Sequence, residues 1–225
     1  MKKFILLLVV FSVGLVACRD EALNPVPPFE TAVHGYGHLV SGNTFTGTST
    51  DPNTGLFIGG TVAANNAWDF NIDFQWISID QKNTVTKVEM FATFTEPYRD
   101  ANNNNKTANH GTQLLKTFEG ASVPGNRTSF NVQVTAAELF AAFDDATFNY
   151  GDGNVTVNVL SNPNQVPGQP AVRNPASPST AFLVRDKFEV TWILYTADGR
   201  VFDSWSDSIC SEFPGADCSV IVTLR

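Results

Sequence analysis

Residues that most often hold metals or act as nucleophile–base pairs are scarce in this chain. Its 225 residues include three histidines, three cysteines and 16% charged residues. No G-x-S-x-G sequence is present to form a nucleophile elbow. Cationic residues are also few: 14 Lys and Arg stand against 22 Asp and Glu, a formal charge of −8. Such a chain has no general electrostatic attraction for nucleic acid or an anionic membrane face. Apart from the first residues, no stretch is long and apolar enough to span a bilayer, which takes ~20 residues.

The exception lies at the start. Lys2 and Lys3 precede an uncharged run from Phe4 to Ala17. That run is too short to span and has the form of a secretory signal peptide. Leu15-Val16-Ala17-Cys18 supplies the cut site. An aliphatic residue, two small or branched positions and a cysteine make a bacterial lipobox, with the thiol placed to carry lipid at the new N-terminus. The expectation is a lipoprotein with residues 1–17 removed and palmitate-type acyl chains on Cys18. Two or three chains hold stably where one does not, each buried CH₂ contributing ~0.8 kcal/mol. Arg19 to Glu30, with Pro25, Pro27 and Pro28, reads as a stiff tether, and the body as residues 31–225.

Within the body the main signal is alternation. Trp68, Phe70, Ile72, Phe74 and Trp76 fall on one face of a strand, and Asp69, Asn71, Asp73 and Gln75 on the other. Val88, Met90, Ala92 and Phe94 repeat the pattern, as do Phe130, Val132 and Val134, and Val155, Val157 and Val159. Phe188, Val190, Trp192 and Leu194 form another run, followed by the hairpin signal Asp198-Gly199. Val220–Leu224 reads as a last strand. Thr135 and Glu138 form a capping box for one short helix, with Leu139, Phe140 and Phe143 apolar, ending near Asp144-Asp145. Residues 99–112, with four consecutive asparagines from Asn102, and the proline-rich 161–180 read as long surface loops. The fold class expected is all-β, an Ig-like β-sandwich. One elaborated unit or two small ones both fit, a single sandwich being nearer ~100 residues.

Candidate chemistry is sparse. Cys210 and Cys218 enclose a loop containing Pro214-Gly215 and suit a disulfide in an exported protein, stabilising by about 2.5 kcal/mol in the chain-entropy model. The alternatives are free thiols or a metal pair, but no histidine or further cysteine lies close in sequence to complete a metal site. His34 and His38 on a strand are ~13 Å apart, too far for one ion, and Gly35 and Gly37 disfavour a helix there. Asp69 and Asp73 are likewise too far apart for a glycosidase pair. Asp100-x-Asn102-x-Asn104 begins like a calcium loop, but Asn105 and Gly111 occupy the positions where an EF-hand needs Gly and Glu. Trp205, in a polar stretch, is a possible platform for a sugar ring or a protein partner; the competing reading packs it against the 210–218 loop. No metal and no cofactor is expected.

Two resemblances are carried by these residues. Arg19-Asp20-Glu21 looks like the surface-export signal of Bacteroidota lipoproteins. Trp68 to Trp76, Val85-Thr86-Lys87-Val88-Glu89, Thr135-Ala136-Ala137-Glu138-Leu139, Phe188-Glu189-Val190-Thr191-Trp192 and Thr196-Ala197-Asp198-Gly199-Arg200-Val201-Phe202 resemble uncharacterised Bacteroidota lipoproteins that accompany starch-utilisation-type, TonB-dependent uptake systems. The resemblance covers roughly residues 68–204 and supplies no catalytic residues. Asp207-Ser208-Ile209 is similar to the short O-glycosylation motif of that phylum. The resemblance implies a non-enzymatic protein on the outer-membrane surface, accessory to an uptake complex, with an outer-membrane transporter and a companion lipoprotein as partners. A freestanding glycan- or peptide-binding or adhesion module is the second expectation.

Overall fold

The structure, a computed structural model, describes residues 32–40, 56–58, 68–100, 102, 104–150, 156–160, 182, 186–204, 210 and 218–224. The signal segment, Cys18, the tether, the 161–180 segment, Trp205 and Asp207-Ser208-Ile209 lie outside the described residues.

Alternation in the sequence becomes two packed sheets. The first holds β1 (Val33–Val40), β3 (Asp69–Ser78) and β6 (Phe130–Thr135), antiparallel, with β3 in the middle. The second runs β2 (Leu56–Ile58), β11 (Val220–Leu224), β9 (Lys187–Thr196), β4 (Val85–Arg99) and β5 (Asn105–Glu119), with β10 (Val201–Asp203) paired to β9. Every pairing in this sheet is antiparallel except β11 with β2. A separate pair joins β7 (Thr147–Phe148) and β8 (Val157–Asn158). Thr31–Arg225 forms one unit by its contacts. The fold is an all-β, sandwich-like one with a single short helix among the described residues.

The expected core face is the observed one. Trp68, Phe70, Ile72, Phe74 and Trp76 are buried, as are Val88, Met90, Ala92 and Phe94 and Phe188, Val190, Trp192 and Leu194. A cluster of rings fills one end: Phe188 stands 5.1 Å from Phe94 and 4.9 Å from Phe182, centroid to centroid, and Trp68 6.0 Å from Phe188. The first of these pairs is stacked, the second edge-to-face and the third tilted; stacked and edge-to-face aromatic pairs contribute about 0.5–1.5 kcal/mol beyond their buried area.

Helix α1 (Ala136–Phe143) starts as the capping box requires. The Thr135 hydroxyl accepts the Glu138 N–H at 3.2 Å, and the Glu138 carboxylate accepts the Thr135 N–H at 2.9 Å. Ala136, Leu139 and Phe143 are its buried residues. The hairpin between β9 and β10 turns at Asp198-Gly199 as expected, with Gly199 N–H donating to Thr196 O at 2.9 Å.

One reading needs correction. Residues 99–112 are not a long loop: β5 begins at Asn105 and pairs with β4 from Arg99↔Asn105 to Lys87↔Glu119. Among the described residues the turn is built at Asp100, Asn102 and Asn104. There the Asp100 carboxylate accepts the backbone N–H groups of Asn102 at 2.9 Å and Asn104 at 2.8 Å, and the Asn104 side-chain amide at 3.1 Å. The spacing that resembled a calcium loop is this local turn, in which the carboxylate closes on its own backbone. These bonds also lower the Asp100 pKa, the Asn104 backbone N–H contributing most. β5 showed no alternation because it ends its sheet and most of its side chains face water. The run Val155–Val159 forms only the two-residue β8 among the described residues.

Candidate functional site

Two groups of side chains bring together chemistry that the sequence holds apart. The first is buried. Between Thr93↔Thr112 and Thr95↔Asn109 the register shifts, so His110 and Gly111 together oppose Phe94. This is a β-bulge, and Gly111 takes a φ of +86°, a conformation that favours glycine. The bulge lies beside a fully buried His110 side chain. Its Nε2 is 3.1 Å from the Glu96 carboxylate, which also accepts the Tyr150 hydroxyl. Phe94 and Phe148 lie against the imidazole at 4.7 and 5.3 Å, and Tyr98 packs on both Phe148 and Tyr150. The other ring nitrogen, Nδ1, has no hydrogen-bond partner among the described residues.

A carboxylate, an imidazole and a phenol in contact form an acid–base set in chemical type. Glu96 is 6% exposed, however, and two donors already converge on its carboxylate. The arrangement satisfies a buried carboxylate and pins the β4–β5 hairpin to the segment after β7.

The second group is partly buried. Cys210 and Cys218 are joined as a disulfide, with Cα atoms 5.9 Å apart. Cys218 stands two residues before β11 and is 5% exposed; Cys210 is half-buried. His34, near the start of β1, brings Nε2 to 3.9 Å from Cys218 Sγ and sets its ring edge-on to Tyr36 at 4.5 Å. The histidine that sequence proximity did not supply therefore arrives from a residue 184 positions away. His34 and His38 do share a strand, on the face opposite Val33, Gly35 and Gly37.

The remaining acidic candidates have partners in the fold. Asp69 accepts the Gln133 side-chain amide and Asp73 the Ser129 hydroxyl, so these two β3 residues are tied to different positions on and beside β6. Glu138, besides capping α1, receives the Lys116 ammonium from β5. Among the described residues no three His, Cys, Asp or Glu side chains are grouped to hold a metal ion.

No family model matches the chain, and no curated protein matches it. Among solved structures, one similar chain is a Bordetella pertussis protein provisionally named ApaA: 9% identical, covering 89% of this chain and 98% of its own, at a TM-score of 0.23. Another is a structural-genomics target, 7% identical over 76% of this chain and 78% of its own, at a TM-score of 0.17. Scores this low do not establish a shared fold.

Proposed function

We propose that this chain is a non-enzymatic, lipid-anchored protein of the outer-membrane surface that serves as an accessory protein-binding subunit of a nutrient-uptake complex. The observation that carries the reading is the lipobox Leu15-Val16-Ala17-Cys18 followed directly by Arg19-Asp20-Glu21. A lipid tether confines the body to two dimensions and raises its effective concentration near other membrane proteins, so a weak interface suffices. β5 adds support. It ends its sheet among the described residues and is mostly exposed, with Leu114 at 51%. A long strand edge of this kind is a ready template for a partner strand.

Affinity purification from gently solubilised outer membrane tests the reading. Recovery of an outer-membrane transporter and its companion lipoprotein is the expected result. A protein that comes down alone and binds a polysaccharide through Trp205 is instead a freestanding glycan-binding module. Turnover of a glycan or peptide substrate overturns the non-enzymatic reading.

A further inference from the structure

Register gathers three turns at one end of the sandwich. Val33, the first residue of β1, pairs with Ser78, the last of β3, and the 79–84 turn follows directly. The 197–200 turn lies beside it: Ala197 N–H donates to Thr84 O at 2.9 Å, and the Arg200 guanidinium donates to the Asn83 side-chain oxygen. The 120–129 stretch joins them through Asn126. Its side-chain oxygen accepts Ser78 N–H at 2.9 Å, and its amide donates to Ser78 O at 3.1 Å. Ile79 projects from this end at 82% exposure, and Val201 stands on the same end at 56%. The turn that carries Ile79 is braced. Asp80 accepts the Ser78 hydroxyl and the Lys82 N–H, both at 3.2 Å, and Arg127 N–H donates to Trp76 O at 2.9 Å.

A single exposed aliphatic residue needs no explanation by itself. Ile79 is set apart by its place, because the chain arriving from the N-terminus enters the body at Val33, on this same end. Residues 19–32 separate Cys18 from that point. Such a segment reaches about 20 Å as a coil and about 50 Å fully extended, so a lipid on Cys18 holds this end within that range of the bilayer. Charge fits as well. The three turns carry Lys82, Arg127 and Arg200 against Asp80 and Asp198, in a chain of formal charge −8. Lys82 and Arg127 are exposed. Long basic side chains set their charge among lipid headgroups beside an inserted apolar residue.

We propose, building on the lipid-anchor reading, that this end is a membrane-contact site: Ile79 enters the interface of the bilayer that anchors Cys18, with Lys82 and Arg127 at its headgroups. One inserted isoleucine is a weak contact, and the tether makes it sufficient by keeping the site at high effective concentration. The contact stands the body upright. β4 and β5 run from Lys87↔Glu119 near this end to Arg99↔Asn105 at the other, so Asp100 and Asn104 are carried away from the lipid.

The test uses the mature lipidated protein in vesicles of phosphatidylethanolamine and phosphatidylglycerol that contain a headgroup-nitroxide lipid. A fluorescent label is attached at Thr128→Cys, beside Arg127, or at Thr107→Cys, toward the far end of β5; both positions are exposed. Cys210 and Cys218 are bonded to each other, and Cys18 is acylated, so the label goes to the new thiol. The nitroxide should quench the label at Thr128→Cys about threefold more than at Thr107→Cys. Ile79→Asp should bring the first down to the level of the second, with vesicle flotation and unfolding midpoint unchanged. Equal quenching at the two positions in protein that floats with the vesicles, or quenching untouched by Ile79→Asp, overturns the membrane contact and leaves the anchor standing. A chain that carries no lipid and does not float overturns both.

Discussion

Trp192 lies against Gly35: a Cβ added to that glycine would stand 2.5 Å from Trp192 Nε1 and 2.7 Å from its Cδ1. The next residue on the same face of β1, Gly37, faces the far rim of the indole, where a Cβ would meet Cη2 and Cζ3 at 2.8 Å. β1 therefore closes over β9 with two glycines so that one large ring fits between the sheets. Gly35→Ala and Gly37→Ala should each destabilise by about 1–3 kcal/mol, the usual cost of overpacking. Urea unfolding followed by tryptophan fluorescence measures this, and unchanged midpoints for both would show that the sheets do not meet there.

The buried Glu96–His110–Tyr150 cluster is a stability element. Tyr150→Phe takes one donor from an enclosed carboxylate and should cost about 1–3 kcal/mol. Pairing it with His110→Leu in a double-mutant cycle should give a coupling energy of about 0.5–3 kcal/mol, whereas strict additivity would mean that the three groups do not act together. Gly111→Ala should also destabilise, through the positive φ of the bulge rather than by collision, since no atom lies within 4 Å of the added Cβ.

At the β9–β10 turn, hydrogen bonds from Arg200 first and Thr196 second hold the Asp198 carboxyl at about 2, below its ordinary 3.8. Folding thus favours the ionised form. The associated stability is present above pH 3.8 and is lost as pH falls through about 2. Asp198→Asn should remove that part of the acid dependence. The check is to compare unfolding midpoints of the two proteins at pH 6 and pH 2, where the gap should narrow at the lower pH. The group is exposed, and the effect should be small.

Because Asn105–Glu119 is paired strand, proteases acting on intact cells should spare it. Cleavage there ahead of other sites would contradict the hairpin. Leu114→Lys, on the exposed strand, should reduce recovery of membrane partners while leaving the unfolding midpoint near the wild-type value.

Cys18→Ala should abolish palmitate labelling and move the protein from membrane to soluble fractions. Persistent labelling would place the attachment elsewhere.

The sheets and helix were legible where a short stretch of sequence carries its own signal. Nine residues from Trp68 to Trp76 alternate because β3 is covered on one face, and Thr135 with Glu138 caps a helix within a single turn. β5 was illegible because an edge strand with exposed side chains has little apolar face to alternate, and its asparagines mimic a loop. The role of Gly35 and Gly37 depends on Trp192, far along the chain, so locally they appeared only as helix breakers. His34 and Cys218 are likewise invisible as a pair until the sheets form. Glu96 and His110 were within reach: once the hairpin is recognised, Glu96 pairs with Ala108, and His110 is two residues further along β5.

The placement of β11 has a consequence for biogenesis. Residues 220–224 lie inside the larger sheet, parallel to Leu56–Ile58 on one side and antiparallel to β9 on the other. A chain threaded through a translocation channel from its N-terminus delivers this strand long after β2. Until it arrives, β2 lacks the neighbour it pairs with, and β9 has an open flank. On the proposed export route, the pairing of β2 and of the β9 flank with β11 therefore cannot form until residues 220–224 arrive. The same delay leaves strand edges unpaired for that interval, and if the chain is exported as proposed, that is when it most needs a holding chaperone.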